Sequence, residues 1–363
     1  MIKLLIVDDS ALMRKLLEGI FREEGDFDIR LARNGIEALE LVHSFDPHVV
    51  TLDVQMPELD GLACLSRIML EAPRPVVMIS SLTVKGADAT IEAVALGAVD
   101  FIAKPSGTVS LEIDRLRPRL IEKVRGAAKA KIRRTLRLTE RIRHQLDRTG
   151  TARRARPRAT GLSPRKGNAA GLVLIGSSTG GPAALDSVLP KIPAAFPWPI
   201  VVAQHMPANF TAAFARRLDR ICDLTVVEVN RPLPLLAGSI YIARGDADLV
   251  VARRTSGLHV MPVPAQQDYP WHPSVERMVT SAMEQFDADG VIGVLLTGMG
   301  RDGADAMKVL RDRGGHTIAE AETTAVVWGM PGELVKCGGA GVVLPVDEIA
   351  AAIVEWARFD AVR

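Results

Sequence analysis

The sequence predicts two α/β domains joined by a basic connector. Apolar, strand-like runs alternate with stretches of helical spacing in both halves of the chain, and a segment rich in Arg, Pro and Gly separates the halves. With 363 residues, of which 48% are hydrophobic, the chain is long enough to build two cores of ordinary domain size. We expect a first domain over residues 1–130, a linker over 131–167 and a second domain over 168–363.

The first half has the pattern of a doubly wound parallel sheet. Short apolar runs predict strands over residues 4–7, 49–52, 76–79 and 99–103, and helical spacing falls between them. Residues 111–130 are expected to form the last helix of this domain.

The second half repeats the alternation without an internal repeat that would relate it to the first. Strands are predicted over residues 172–175, 200–203, 226–229, 240–243, 258–263, 291–296, 317–319 and 342–344. Helical spacing predicts helices over residues 183–189, 211–218, 275–286 and 304–313. This domain is therefore also expected to be α/β.

Charge and composition exclude several classes of protein. Residues 115–168 contain 19 Lys and Arg and three acidic residues, although the whole chain has a net charge of only +2. The three cysteines lie far apart, with neither the spacing of metal ligands nor an even number for disulfides. Two acids follow a short apolar run at the N-terminus, and no apolar run approaches the roughly 20 residues of a membrane span. We expect a cytoplasmic protein with no membrane insertion.

Three acids occupy predicted strand ends in the first domain. Asp8 and Asp9 follow the first strand, and Asp53 follows the strand over residues 49–52. Functional groups collect at the carboxyl edge of a parallel sheet, where clustered carboxylates persist when Mg²⁺ neutralises them. A carboxylate beside Mg²⁺ can attack a phosphoryl group, and Ser80 and Lys104, at two further strand ends, would bind the phosphoryl oxygens. Surface acids that only cap turns are the alternative interpretation.

These residues resemble the receiver domain of bacterial response regulators. The matching segments are Val7-Asp8-Asp9-Ser10, Leu52-Asp53-Val54-Gln55-Met56-Pro57, Gly61, Ile79-Ser80-Ser81 and Phe101-Ile102-Ala103-Lys104-Pro105. The resemblance covers residues 1–125 and implies a flavodoxin-like domain in which Asp53 is phosphorylated. It further implies that Asp8 and Asp9 hold Mg²⁺ with Asp53, that Ser80 and Phe101 relay the switch, and that a histidine kinase is the phosphodonor.

A serine in a glycine-rich turn opens the second domain. Ser178 lies in the segment Gly176-Ser177-Ser178-Thr179-Gly180-Gly181, between a predicted strand and a predicted helix. Small residues permit a sharp strand-to-helix turn that exposes the hydroxyl of a nucleophile. The pattern alone is weak, because a phosphate-binding glycine turn has the same appearance.

A nucleophilic serine needs a base and a group that orients the base. Among the seven histidines, only His205 directly follows a predicted strand that could neighbour the serine strand. Asp302 lies in a second glycine-rich loop, after the strand over residues 291–296. A structural role for His205 and a helix N-cap role for Asp302 remain open alternatives.

The second domain resembles the catalytic domain of the chemotaxis protein-glutamate methylesterases, the CheB family. The matching motifs are Ile175-Gly176-Ser177-Ser178-Thr179-Gly180-Gly181-Pro182, Gln204-His205-Met206-Pro207, Pro273-Ser274-Val275, Leu296-Thr297-Gly298-Met299-Gly300-Arg301-Asp302-Gly303 and Gly329-Met330-Pro331. The resemblance implies an α/β methylesterase domain with a mainly parallel sheet and a catalytic triad of Ser178, His205 and Asp302. It also implies hydrolysis of glutamyl methyl esters and deamidation of glutamines on chemotaxis receptors, with no cofactor for the hydrolytic step.

Two segments depart from the usual family pattern. Where the family usually reads Ile-Ala-Pro-Gly-x-x-His, this chain has Ile242-Ala243-Arg244-Gly245-Asp246-Ala247-Asp248. Where it usually reads Arg-Pro-Ser-Val-Asp, this chain has His272-Pro273-Ser274-Val275-Glu276. Neither change falls on a predicted triad residue, so we expect them to affect receptor binding and the interdomain surface.

Acyl transfer also needs N–H donors for the tetrahedral oxyanion. The backbone around Thr179 and Met299 offers candidates. In the resulting hypothesis, the unphosphorylated first domain covers the Ser178 cleft, and phosphorylation of Asp53 opens it.

Two other classes of protein compete with an enzyme. A nucleic-acid-binding output would use the Arg-rich connector, but that segment has no aromatic residues and no recognisable binding module, so no nucleic-acid partner is expected. A response regulator that only docks to receptors is the third class, and the Ser/His/Asp set argues against it.

Overall fold

The computed structural model describes residues 1–81, 83–104, 109–130 and 170–359. The chain divides into two compact units, residues 1–153 and 154–363. The predicted linker over residues 131–167 lies outside the described residues, so its boundaries stay a prediction. In the part of the chain that is described, no helix is both long and apolar enough to cross a membrane.

The first unit is a five-stranded parallel sheet with helices between the strands. Its elements are β1 (Ile2–Val7), α1 (Ala11–Glu23), β2 (Phe27–Ala32), α2 (Gly35–Ser44), β3 (Val49–Asp53), α3 (Gly61–Glu71), β4 (Val76–Ser80), α4 (Val84–Ala95), β5 (Asp100–Ala103) and α5 (Val109–Ala128). The strand order is β2-β1-β3-β4-β5, and every pairing is parallel. This order confirms the predicted doubly wound domain.

Local chemistry accounts for where these helices begin. The first four helices each start after a residue whose side-chain oxygen accepts a hydrogen bond from a backbone N–H in the first turn. The four caps are Ser10, Asn34, Asp60 and Thr83.

The edge strand β2 is a finding that the sequence prediction missed. Its apolar residues alternate with charged ones, and the strand is only partly buried because it has a neighbour on one side only. Strands β3 and β4, by contrast, are buried throughout and were predicted from their continuous apolar runs.

The second unit is built on a seven-stranded parallel sheet. Its elements are β6 (Leu172–Ser177), α6 (Gly181–Val188), β7 (Ile200–Gln204), α7 (Ala208–Ile221), β8 (Thr225–Val229), β9 (Leu233–Pro234), β10 (Ser239–Ala243), β11 (Ala247–Arg254), β12 (Gly257–Pro264), α8 (Val275–Met283), β13 (Val291–Leu295), α9 (Ala304–Asp312), β14 (His316–Glu320), α10 (Met330–Lys336), β15 (Val342–Leu344) and α11 (Val346–Phe359). The order is β15-β14-β13-β6-β7-β10-β8, and all pairings are parallel. The prediction of a mainly parallel sheet is confirmed.

A small antiparallel sheet accompanies the large one. Its order is β11-β12-β9, and β11 and β12 form a hairpin. Helix α8 packs against β11, β6 and α9, so it connects the hairpin to the main sheet. This contact brings the N-terminus of α8 to the carboxyl ends of the central strands.

Candidate active site and phosphoryl-acceptor site

The predicted hydrolytic residues follow three adjacent strands of the second sheet. Ser178 follows the central strand β6, His205 follows β7 on one side, and Asp302 lies in the loop after β13 on the other. The backbone N–H of His205 donates to Ser177 O at 3.0 Å, and that of Ser178 donates to Thr297 O at 3.0 Å. The pairing of the strands therefore continues into all three loops and brings them to one edge.

His205 and Asp302 are in direct contact. Nε2 of His205 lies 2.8 Å from Oδ2 of Asp302, and the two side chains are only 9% and 5% exposed. An imidazole N–H that faces a carboxylate is fixed in one tautomer and one orientation. The contact orients Nε2 toward Asp302, so Nδ1 is the ring nitrogen that this contact does not use.

The carboxylate of Asp302 lies at the N-terminus of helix α8. Its Oδ2 accepts the backbone N–H of Val275 at 2.7 Å, and its Oδ1 accepts the N–H of Glu276 at 3.0 Å and the Ser274 hydroxyl at 3.1 Å. The exposed N–H groups and the dipole of a helix N-terminus stabilise a negative charge there. The backbone and hydroxyl donors of α8 and the His205 imidazole together occupy both oxygens of this nearly buried carboxylate.

The alternative role for Asp302, as the N-cap of its own helix, is wrong. Helix α9 is capped by Gly303, with a φ of 86° and no side-chain cap hydrogen bond. Asp302 instead binds N–H groups of α8, a helix that precedes it in the chain.

The backbone around Ser178 is held closely on two sides. A Cβ on Gly298 would lie 2.8 Å from the Cβ of Ser178, so only glycine permits this approach of the β13 loop. Gly180 has a φ of 78°, in the left-handed region that favours glycine, and starts helix α6. The serine side chain itself is half-buried.

Gln204 joins the serine and histidine loops, a role that sequence reasoning missed. Its Nε2 donates to Ser178 O at 2.9 Å and to His205 O at 3.1 Å, and its Oε1 accepts the Ser177 hydroxyl at 2.6 Å. The side chain is 2% exposed. Its position directly before a candidate catalytic histidine was the available signal.

The second nitrogen of His205 is buried. Nδ1 has no hydrogen-bond partner among the described residues, so the Ser178 hydroxyl is not bonded to it in this structure. The imidazole stacks on Trp271, with ring centroids 5.6 Å apart and an angle of 12° between the planes. Trp271, which the sequence prediction also missed, fixes the plane of the ring.

The oxyanion candidates lie beside the serine, and their role stays a prediction. Thr179 is buried directly after Ser178, and its carbonyl accepts the Thr297 hydroxyl at 2.9 Å. Met299 is half-buried in the β13 loop, immediately after Gly298.

A buried acid supports the β13 loop from behind. Oε2 of Glu320 accepts the backbone N–H of Thr297 at 2.7 Å. Burial raises the pKa of Glu320 to about 7, although the hydrogen bonds from Thr297 and Thr324 oppose the rise. The sequence showed only a glutamate after a predicted strand, and its burial depends on the tertiary packing.

The acidic residues of the first unit meet at the edge of its sheet, as predicted. One carboxylate oxygen each from Asp8, Asp9 and Asp53 lies within 4.8 Å of the others, a set of oxygen donors that suits a hard divalent cation. Asp8 and Asp53 are buried, whereas Asp9 is exposed. Hence the cluster opens to solvent on one side.

Lys104 pairs with both buried acids. Its Nζ lies 2.7 Å from Oδ2 of Asp53 and 2.9 Å from Oδ2 of Asp8. Burial raises the pKa of Asp53, and the Asp8 charge adds to the rise, while Lys104 opposes it. Burial alone would lower the pKa of Lys104, but the two carboxylates outweigh it and raise that pKa.

The predicted switch residues are both buried. The Ser80 hydroxyl donates to Gly86 O at 3.1 Å, in the first turn of α4. Phe101 is 2% exposed, and Nζ of Lys123 lies 5.4 Å from the centre of its ring. A role for these residues in a switch remains a prediction.

The two units together define a class of protein: a response regulator whose receiver precedes a hydrolase-type α/β unit. The sequence matches the family model of the response regulator receiver domain over residues 4–113 and that of CheB methylesterase over residues 173–353. The chain belongs to the CheB methylesterase family.

Curated relatives match along the whole chain. Protein-glutamate methylesterase/protein-glutamine glutaminase 2 of Rhodopseudomonas palustris (strain BisB18) is 65% identical, over 99% of this chain and 100% of that protein. Protein-glutamate methylesterase/protein-glutamine glutaminase 3 of Rhodospirillum rubrum is 56% identical, over 98% of this chain and 96% of that protein. A protein named in the same way from Carboxydothermus hydrogenoformans is 44% identical over 98% of this chain.

Proposed function

We propose that this chain is a phosphorylation-activated serine hydrolase that removes methyl esters from glutamate side chains of chemotaxis receptors and deamidates glutamines there. The relatives carry these two activities in their names. One observation supports the hydrolytic site most directly. His205 is held by Asp302 at 2.8 Å, at the end of the strand beside Ser178, with its second nitrogen unpaired among the described residues.

In the proposed reaction, Nδ1 of His205 is the general base. It takes the proton of the Ser178 hydroxyl, and the serine oxygen attacks the carbonyl carbon of the ester. Asp302 stabilises the imidazolium that forms, because its charge faces Nε2. This step requires the Ser178 side chain to come within hydrogen-bonding distance of Nδ1 when substrate binds.

The tetrahedral intermediate collapses when His205 returns the proton to the leaving group. Methanol departs from an ester, or ammonia from a glutamine, and Ser178 remains acylated. A water molecule then attacks the acyl-enzyme and gives its proton to His205. His205 returns that proton to the Ser178 oxygen as the acyl bond breaks, which restores the serine hydroxyl and releases the glutamic acid, whose proton passes to solvent. Backbone N–H groups of Thr179 and Met299 are the proposed donors to the oxyanion.

The first unit is the proposed control element. Asp53 would accept a phosphoryl group from a histidine kinase, with Asp8, Asp9 and Asp53 as the residues that hold Mg²⁺. When bound, Mg²⁺ would neutralise the carboxylates and the phosphoryl oxygens. Lys104 would bind a phosphoryl oxygen, and Ser80 and Phe101 would change their contacts with the phosphorylation state.

The deciding experiment measures methanol release from methylated receptor membranes by the phosphorylated full chain. We expect Ser178→Ala to lower the rate at least about 10³-fold, as loss of a catalytic nucleophile does. Ser187→Ala is a matched control in the same unit, because that hydroxyl donates to Ala183 O of its own helix, at 3.0 Å. A Ser178→Ala protein that releases methanol at the wild-type rate would refute the proposed nucleophile.

The docking-only alternative gives a different result in the same assay. A docking module would bind receptor membranes and release no methanol even as the wild-type protein. For regulation, Asp53→Asn should remove the activation by phosphorylation and leave the basal rate intact.

A further inference from the structure

Asp248 is a buried carboxylate close to the proposed triad but outside it. It is 1% exposed and is the second residue of the hairpin strand β11. Its Oδ1 contacts Nδ1 of His272 at 2.8 Å and accepts the backbone N–H of Ser274 at 2.8 Å. Its Oδ2 accepts from Nη1 of Arg277 at 2.9 Å. Both carboxylate oxygens are therefore engaged.

Ser274 links this carboxylate to Asp302. Its backbone N–H binds Asp248, while its hydroxyl, on a fully buried side chain, donates to Asp302 at 3.1 Å. The same hydroxyl accepts the N–H of Arg277 at 3.2 Å and so caps helix α8. Asp248 and Asp302 thus hold the start of one helix from two sides.

The residues just before this helix also reach the imidazole. Trp271 stacks on His205, and His272, the next residue, is bound to Asp248. Residues 271–274 therefore contact His205 at one end and Asp302 at the other. Asp248 is the group that binds the middle of this segment.

We propose that Asp248 is a positioning residue for the His205–Asp302 pair, which it orients by fixing residues 271–274. The inference rests on the proposed function. Asp248 touches no reacting atom, so its effect on catalysis passes through Trp271 and Ser274.

The charge of Asp248 suits this role. Burial alone would raise the pKa of this carboxyl, but the hydrogen bonds from His272, Ser274 and Arg277 outweigh burial and lower it. Asp248 consequently stays ionised at neutral pH and keeps its three partners.

Two of the departures from the family pattern, one in each segment, form a single contact. The family usually has His and Arg at the positions of Asp248 and His272, and here these two side chains bind each other. Another departure, Glu276, supplies a backbone N–H to Asp302. Asp248, His272 and Glu276 thus lie in or beside the segment that holds Asp302, close to the proposed triad.

The test compares Asp248→Asn with the wild type in the phosphorylated full chain. An amide in this place turns its NH₂ group either toward His272 and Ser274 or toward Arg277, in the first turn of α8, so at least one of the contacts that hold the start of this helix is lost. We expect kcat for methanol release to fall 10- to 100-fold with KM within twofold of the wild type. Asp246→Asn is the matched control, an exposed residue two positions away, and should keep kcat within twofold.

A second readout does not depend on activity. A protonated imidazole stacked on an indole quenches its fluorescence, so a pH titration of Trp271 emission reports the state and placement of His205. Subtracting the emission of Trp271→Phe removes the other three tryptophans. Asp248→Asn should weaken this quenching by at least half, whereas Asp246→Asn should leave it unchanged.

The outcomes separate the inference from the proposed function. A folded Asp248→Asn protein with wild-type kcat and quenching would overturn the positioning role, as would a loss that appears only in KM. If Asp248→Asn does not fold, His272→Gln removes one partner alone, and we expect it to lower kcat 3- to 10-fold. Unchanged kcat and quenching in that variant would likewise overturn the role. A wild-type protein that releases no methanol would instead refute the proposed function.

Discussion

Asp53 and Asp302 are both nearly buried carboxylates at the carboxyl edge of a parallel sheet, but they are neutralised in different ways. Asp53 faces another acid, Asp8, and a single ammonium group, that of Lys104, which pairs with both. Asp302 receives two backbone N–H groups and a hydroxyl from the start of α8, besides the imidazole of His205. A flexible lysine side chain compensates the charge of Asp53, whereas N–H groups of the rigid helix backbone bind the carboxylate of Asp302.

This difference matches what each site has to do. A lysine side chain can exchange partners, so the Asp53 environment can accommodate a cation and a phosphoryl group. Backbone N–H groups at a helix N-terminus do not rearrange during a reaction, so the Asp302 environment keeps one charge in one place. Asp302→Asn and Lys104→Met test this contrast directly. Glu320→Gln and Arg22→Ala compare it with a buried acid whose raised pKa comes from burial rather than from a neighbouring charge, and with an exposed ion pair.

Asp302→Asn should lower kcat by about 10³- to 10⁴-fold, because an amide cannot accept from all of the donors around it and disturbs the imidazole tautomer. The measurement is methanol release at saturating substrate. Phosphorylation of Asp53 in the same protein should proceed at the wild-type rate, since that acid lies in the other unit. A kcat within tenfold of the wild type would show that Asp302 does not orient the base.

Lys104→Met should lower the free energy of unfolding of the first unit by about 3 kcal/mol without Mg²⁺, because two buried carboxylates lose their shared cation. Saturating Mg²⁺ should recover most of that loss. Denaturant unfolding with EDTA and with Mg²⁺ measures both effects, and Lys129→Met, at an exposed position, is the control. Equal stabilisation of both proteins would show that Mg²⁺ does not replace the Lys104 charge, and no stabilisation of either would contradict the proposed metal site.

Glu320→Gln tests the buried acid behind the β13 loop. Since burial raises its pKa from 4.5 to about 7, Glu320 binds a proton more tightly in the folded than in the unfolded state. Its contribution to stability is therefore complete below about pH 4.5 and is lost as the pH rises through about 7. Between pH 5 and pH 8 we expect the wild type to lose about 2 kcal/mol relative to Glu320→Gln, as measured by denaturant unfolding. Parallel pH profiles for the two proteins would disprove this assignment.

Arg22→Ala gives the smallest expected effect and sets the scale for exposed ion pairs. Arg22 pairs with Glu18 at 2.6 Å on the surface of α1, and its side chain is 73% exposed. We expect a loss of about 0.3–0.5 kcal/mol, which high salt should remove. If Arg22→Ala lowered the free energy of unfolding as much as Lys104→Met does, burial would not explain why the Lys104 ion pairs stabilise more than the Arg22–Glu18 pair.

Much of the fold follows from local pattern, and the exceptions share a physical cause. The buried strands of both sheets are continuous apolar runs, which the sequence reveals directly. The edge strand β2 and the hairpin strand β11 mix charged and apolar residues, because one face of each meets solvent or a helix. Such strands depend on their neighbours, so pattern alone identified neither.

The candidate sites divide in the same way. Ser178, His205 and Asp53 follow strands that the apolar pattern predicts, so their positions at the carboxyl edge of a sheet could be predicted from the sequence. The anchors of Asp302 come from a helix that begins 27 residues earlier, and the roles of Gln204, Trp271 and Asp248 arise from contacts between loops. No spacing rule in one sequence contains that information.

Strand β6 is the middle of seven, with three strands on either side of it. Opening of the sheet during thermal fluctuation begins at its outermost strands, whose backbone groups are paired on one side only. Ser178, the proposed nucleophile, is thereby anchored where hydrogen exchange is expected to be slowest. The outer strands β15 and β8 can open transiently and can accept insertions or substitutions without disturbing the site at the centre of the sheet.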